Sequence, residues 1–103
     1  MGPRRRRVTW TRSARQQLDE AIDYVAQDSL QNAVRLLEGI LAAASSLDEL
    51  SERGHAVPEV GDPQVRELHV EPYRLIYLAG DSDVQILGIL HQRRDFSHWE
   101  GRV

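Results

Sequence analysis

Residues 65–95 read VRELHVEPYRLIYLAGDSDVQILGILHQRRD, and this stretch decides the fold. Val65 to Val70 alternates in character, with Arg66, Leu68 and Val70 on one side, as a strand with two unlike faces does. Glu71-Pro72 marks a tight turn. Tyr73 to Ala79 is apolar on both faces except at Arg74. Gly80-Asp81-Ser82-Asp83 reads as a hairpin loop, and Val84 to Leu90 is again apolar apart from Gln85. Strands apolar on both faces lie centrally and need a layer over each face. Gly88, in mid-strand, predicts a bulge or a close backbone approach. The stretch ends in a compact basic cluster, His91 to Asp95.

The preceding chain supplies a cover for one face. Val8 to Thr11 alternates and is rich in β-branched and aromatic residues, which predicts a short strand. Ser13 with Gln16 three residues on reads as a capping box, opening a helix to about Ala26 with the stripe Ala14, Leu18, Ala21, Ile22, Val25. Asp28 or Ser29 caps a second helix, with the stripe Leu30, Ala33, Val34, Leu37, Ile40, Leu41, Ala44, Leu47 and with Leu36 and Gly39 off its centre. A link of about three residues makes the two helices an antiparallel hairpin. Gly54, Pro58, Gly61 and Pro63 punctuate residues 48–63 as an ordered loop. The expected order is β-α-α-β-β-β: an α+β domain, with a small antiparallel sheet of about four strands packed on an N-terminal αα-hairpin. The second sheet face is left for residues 96–101, which could form one turn of helix, or for another molecule. Self-association of the isolated chain is the consequence expected of that surplus apolar surface.

A chain of 103 residues is one domain, 1–103, with 1–7 read as a frayed basic terminus. Absence of cysteine excludes disulfides, thiolate metal sites and thiol nucleophiles, and is compatible with a cytoplasmic setting. No apolar run reaches the roughly 18 residues of a membrane span, and the start lacks the apolar segment of a signal peptide. The reading calls for no cofactor and no metal. Net charge is −3, which argues against a general nucleic-acid binder. The distribution is uneven: residues 1–15 carry six Arg and no acid, and the remainder seven Arg against sixteen acids. All thirteen basic residues are Arg. There is thus no lysine to act as a tunable base, and every cation is a planar fork suited to carboxylate or phosphate.

Taken together, Arg53-Gly54-x-x-Val57-Pro58-Glu59, Val65-Arg66-Glu67-Leu68, Tyr73-Arg74-Leu75-Ile76-Tyr77 and Ile86-Leu87-x-x-Leu90-His91-x-Arg93-Arg94-Asp95 resemble the RelE/ParE toxin superfamily over about residues 8–99. These are the toxin halves of bacterial type II toxin–antitoxin modules, also called plasmid stabilisation proteins. The resemblance implies a small antiparallel sheet carrying a helical hairpin. It also implies a cognate antitoxin, typically ribbon-helix-helix with a disordered C-terminal segment that folds along the hairpin and open sheet face, and hence a hetero-oligomer.

The superfamily holds two mechanisms. RelE-like members cleave mRNA on the ribosome, which needs a base, an acid and cations for the developing phosphorane. The resemblance puts the two family arginines on Arg74 and Arg94. Glu67 stands where a family lysine would, and Glu100, beside Trp99, at the usual tyrosine position. A nuclease built here would use Glu67 as base, Arg74 and Arg94 as cations and His98 as acid, with His69 and His91 as further candidates. ParE-like members poison DNA gyrase. The Arg-Gly-x-x-Val-Pro-Glu loop and the Leu-His-x-Arg-Arg-Asp ending resemble them more closely, so a ParE-like, non-enzymatic toxin is the favoured reading. A module that only binds antitoxin is a third. The expected contact residues are Arg66, Arg74, His91, Arg93, Arg94 and Trp99. Arg74 is the sharpest of these, since a cation among apolar neighbours needs a partner: Glu67, Asp95 or a ligand. Tyr73 and Tyr77 are read as core, His69 as solvent-facing on an edge strand and His55 as a plain loop residue.

Overall fold

The computed structural model describes residues 5–93. Its elements are β1 (Arg7–Trp10), α1 (Arg12–Asp28), α2 (Leu30–Ser46), β2 (His55–Ala56), β3 (Val65–Val70), β4 (Tyr73–Ala79) and β5 (Asp83–His91). The expected α+β architecture is present, with the hairpin packed on one face of the sheet. Two details differ. The described residues form five strands in the order β1-β5-β4-β3-β2, and the sheet is mixed, because β1 runs parallel to β5. The extra strand β2 is two exposed residues, too short to carry a periodicity; it pairs His55 with Glu67 and Ala56 with Arg66. Strand direction leaves no mark on side-chain alternation, so the parallel pair is invisible in sequence.

The helix starts also differ. Thr11, not Ser13, caps α1. Trp10 ends β1, whose ladder continues through the Thr11 N–H to the Ile86 carbonyl at 3.0 Å, and the Thr11 Oγ1 accepts the Ala14 N–H at 3.0 Å. One residue therefore ends a strand and opens a helix, and Ser13 lies exposed inside the first turn. At the far end the hairpin link is the single extended residue Ser29. Its N–H reaches the Val25 carbonyl, and its Oγ accepts the Asn32 N–H at 3.1 Å, so it closes α1 and opens α2 together.

Two apolar clusters sandwich the sheet. On the hairpin side Ala14, Ala21, Leu36, Ile40, Ala44 and Leu47 meet Tyr73, Leu75, Tyr77, Val84, Ile86 and Ile89. The buried line of α2 is thus Ala33, Leu36, Ile40, Ala44, Leu47, and Leu36 is central rather than peripheral. On the other side Val65, Ile76, Leu87 and Leu90 pack with Val57, which the loop contributes. The residues expected to share in that second layer, 96–101, lie outside the described ones.

Between Ile76 and Tyr77 the β4–β5 register slips: Ile76 faces Gly88 and Tyr77 faces Ile86, leaving Leu87 as the extra residue of a bulge. The hairpin side supplies partners there. The Gln17 Oε1 accepts the Ile89 N–H at 2.9 Å, and the Thr11 hydroxyl donates to the Leu87 carbonyl at 3.4 Å. Gly88 therefore marks a bulge, as its position in the sequence predicts.

Part of the basic start is anchored. The Arg6 N–H donates to the Asp48 carbonyl at 2.7 Å and its Nε to the Gly80 carbonyl at 2.9 Å. Arg5 pairs with Glu49 at 3.0 Å, and Arg7 begins β1. Residues 5–7 are not frayed.

Candidate functional site

The β3–β4 ladder sets His69 opposite Arg74 and Glu67 opposite Ile76, all on the face away from the hairpin. Arg74 is buried, and two carboxylates grip it. Its Nε donates to the Glu67 Oε1 at 3.2 Å, and its Nη2 to the Glu67 Oε2. Its Nη1 and Nη2 donate to the two oxygens of Glu59 at 3.1 and 3.2 Å. Both pairings are forked, the geometry in which a guanidinium binds most strongly. The His69 Nε2 sits 2.6 Å from the Glu67 Oε1.

The ionisation of the cluster follows from these contacts. Burial pushes the Glu67 carboxyl up, but hydrogen bonds from Arg74 and His69 outweigh it and hold the group below its ordinary value. The hydrogen bond from Arg74 holds Glu59 down as well. The bond to Glu67 raises Arg74 still further above its usual range, against the cost of burial. Two carboxylates thus share one guanidinium, and the trio carries one surplus negative charge. These side chains line an open groove of about 440 Å³ with His55, Ala56, Pro58 and Gln92.

A second groove, about 540 Å³, runs between α1 and the ends of β4 and β5. Gln17, Glu20, Tyr24, Tyr73, His91 and Arg93 line it over an apolar floor of Ala21, Ile89 and Leu90. The Tyr73 and His91 rings meet edge to face, centroids 5.3 Å apart. The His91 Nδ1 accepts the Arg93 N–H at 3.1 Å.

The sequence-derived candidates divide accordingly. Glu67 and Arg74 come together; His91 and Arg93 come together in the other groove. Arg66 serves the fold: its Nη1 donates to the Gly54 carbonyl at 2.9 Å and pins the loop before β2. His69 is half-exposed as expected, but β2 lies outside β3, so the strand is not the edge. Tyr73 and Tyr77 are core. Arg94, Asp95, His98 and Trp99 lie outside the described residues. Glu59 was missed as a partner of Arg74. It stands 15 residues upstream across a loop and a strand, and no local spacing links the two. Among the described residues no group of three or more His, Cys, Asp or Glu is arranged to hold a metal ion, and no helix is long and apolar enough to cross a membrane.

This α+β frame has known counterparts. Residues 8–96 match the family model of the ParE toxin of the type II toxin–antitoxin system parDE, and the chain belongs to that family. A solved chain described as the chromosomal ParDE TA system from P. aeruginosa superposes with a TM-score of 0.69 at 26% identity, over 85% of this chain and 97% of that one. No curated protein matches the chain in sequence.

Proposed function

We propose that the chain is a ParE-like toxin that inhibits growth by poisoning DNA gyrase, without nuclease chemistry of its own, and that a ParD-like antitoxin neutralises it in a hetero-oligomer. The observation that carries this reading is the state of Glu67. In a nuclease here it would be the general base. It is instead an ionised carboxylate committed to Arg74 and lowered below its ordinary value, far from the near-neutral value that base catalysis favours. The absence of lysine from the whole chain supports the same reading. Arg93 and His91, which line the larger groove, are the described groups we take to meet a target.

A paired assay on purified protein tests this: inhibition of gyrase supercoiling alongside ribosome-dependent cleavage of mRNA. Gyrase inhibition without cleavage is the expected result. Cleavage without gyrase inhibition overturns it in favour of the RelE-like nuclease, and inactivity in both assays with antitoxin binding intact leaves a pure antitoxin-binding module. Expression alone should arrest growth, and co-expression of a ParD-like antitoxin should restore it.

A further inference from the structure

Two carboxylates hold Arg74, and they differ in kind. Glu67, on the neighbouring strand, meets its Nε and Nη2, and the Glu67 side chain is 8% exposed. Glu59 meets its Nη1 and Nη2 at 3.1 and 3.2 Å, and the Glu59 side chain is 41% exposed. The inner pair joins adjacent strands in a buried place and costs much to break. The outer pair is an exposed contact, of the sort that contributes little to stability. The loop has other ties. The Val57 carbonyl accepts the Val60 and Gly61 N–H groups at 3.1 and 3.2 Å, and Val57 is buried in the second apolar cluster. The turn that carries Glu59 is thus fixed by groups other than its carboxylate, and the side chain can swing towards solvent while the turn stays.

The edge of the guanidinium that Glu59 covers borders the open groove of about 440 Å³. His55, paired with Glu67 across the β2–β3 ladder, lines the same groove, as does Gln92, and both side chains bring further N–H donors. A forked pair of N–H groups selects a planar anion with two oxygens. Charge narrows the choice. Glu67 stays ionised on the inner side, so a doubly charged phosphate meets more repulsion than a singly charged carboxylate. Glu59, itself a carboxylate, shows the fit.

From this geometry we infer that the outer edge of Arg74 is an exchangeable carboxylate site: Glu59 fills it in the free chain, and a carboxylate of a bound protein takes its place. Glu59 then acts as a built-in competitor. A carboxylate tethered so close is present at roughly millimolar or higher effective concentration, so a dilute one does not displace it, while one delivered by a docked partner does. The inference goes beyond the toxin reading and stands whichever target that toxin has.

Acetate is the probe for such a carboxylate. The Arg74 Nε–H resonance is followed by NMR as sodium acetate, sodium phosphate or sodium chloride is added at matched ionic strength. Glu59→Gln keeps the shape of the side chain without its charge, and Glu59→Ala empties the edge. Both variants should melt close to the wild type and should bind acetate several-fold more tightly than it does. Phosphate should bind them more weakly than acetate, and chloride should leave the resonance in place. Equal acetate affinity in the wild type and both variants overturns the proposal, because Glu59 then competes with nothing. So does the lack of acetate binding to either variant. Tighter binding of phosphate than of acetate overturns the assignment to a carboxylate. A large loss of melting temperature in both variants makes Glu59 a structural tie and overturns the exchange as well.

Discussion

Arg74 is where a single residue governs most. Its neighbours on β4 are apolar, so its charge needs partners, and Glu67 and Glu59 supply two of them. Removing it alone leaves Glu67 buried without its forked cation, with the His69 contact as its remaining described side-chain partner. Arg74→Met should therefore cost about 3–5 kcal/mol of stability, whereas pairing it with Glu67→Met should recover most of that loss, since apolar groups of similar volume often replace a buried ion pair at little cost. Urea melts of the two variants decide between these outcomes. The cluster also sets an acid limit. Glu67 has a folded value below its unfolded one, so its stabilisation is complete above the ordinary carboxylate range and is lost as pH falls through the folded value. Half-exposed Glu59 shifts the same way and adds little. Stability should thus fall as pH drops below the ordinary carboxylate range, and Arg74→Met/Glu67→Met should flatten that limb. Sequence exposed the problem at Arg74, a cation in an apolar run, and named Glu67 as one answer. The second answer, Glu59, depends on how a 16-residue punctuated segment folds back on the sheet, which spacing does not encode.

Tyr77 is what folds that segment back. Its hydroxyl donates to the Ser51 carbonyl and accepts the Gly54 N–H, both at 2.8 Å and both buried. Tyr77→Phe strands these two backbone groups and should cost about 1–3 kcal/mol. Burial holds the phenol above the ordinary tyrosine value. The stability it gives is complete below that value and lost as pH climbs through the folded one. Phenolate absorbance followed together with unfolding should show the wild type losing stability at high pH, and Tyr77→Phe should lack that alkaline limb. Gly54 cannot change either, since a Cβ there would lie 2.5 Å from the Glu67 carbonyl oxygen and 2.6 Å from the Tyr77 hydroxyl.

At the scale of elements, the hairpin was legible because helix periodicity is local, while its ends were legible only in kind. The Ser13–Gln16 box satisfied the sequence rule, yet Thr11 holds the cap because the β1–β5 ladder fixes where the strand stops. Tertiary pairing chose between two adequate caps. Thr11→Ala should then cost about 1 kcal/mol and Ser13→Ala under about 0.5 kcal/mol, the reverse of the ranking the capping box gives. Ser29→Ala should match Thr11→Ala, because its side chain is the cap of α2. Thermal melts of the three variants provide the comparison. The α2 stripe teaches a similar lesson. Eight apolar residues at helical spacing fit one face on paper, but the sheet takes a line centred on Leu36 and Ile40 and leaves Leu30, Val34 and Leu41 outside. Periodicity finds apolar residues; it does not say how wide a stripe one sheet can cover.

Across the whole molecule, the part least visible in sequence is the closure of the sheet by β1. Four residues near the start lie beside nine near the end, and the register Arg7–Asp83 to Trp10–Ile86 spans the chain. Contacts so distant form late and cost loop closure, yet they cover a strand that would otherwise be an apolar edge. Val84 and Ile86 on β5 are wholly buried. Arg6 adds its bonds to Asp48 and Gly80, so the basic start fastens the loop after α2 and the β4–β5 turn to the same edge. Arg6 therefore holds backbone carbonyls while Arg5 meets a carboxylate. Removal of residues 1–10 should leave the hairpin and the β3–β4–β5 meander formed but open β5 along its length. We expect the truncated chain to keep most of its helical circular dichroism, to lose several kcal/mol of stability and to associate through the bared strand. Light scattering at equal concentration should show open-ended growth for the truncated chain. A truncated chain that scatters no more than the full-length protein would reduce β1 to a dispensable cover.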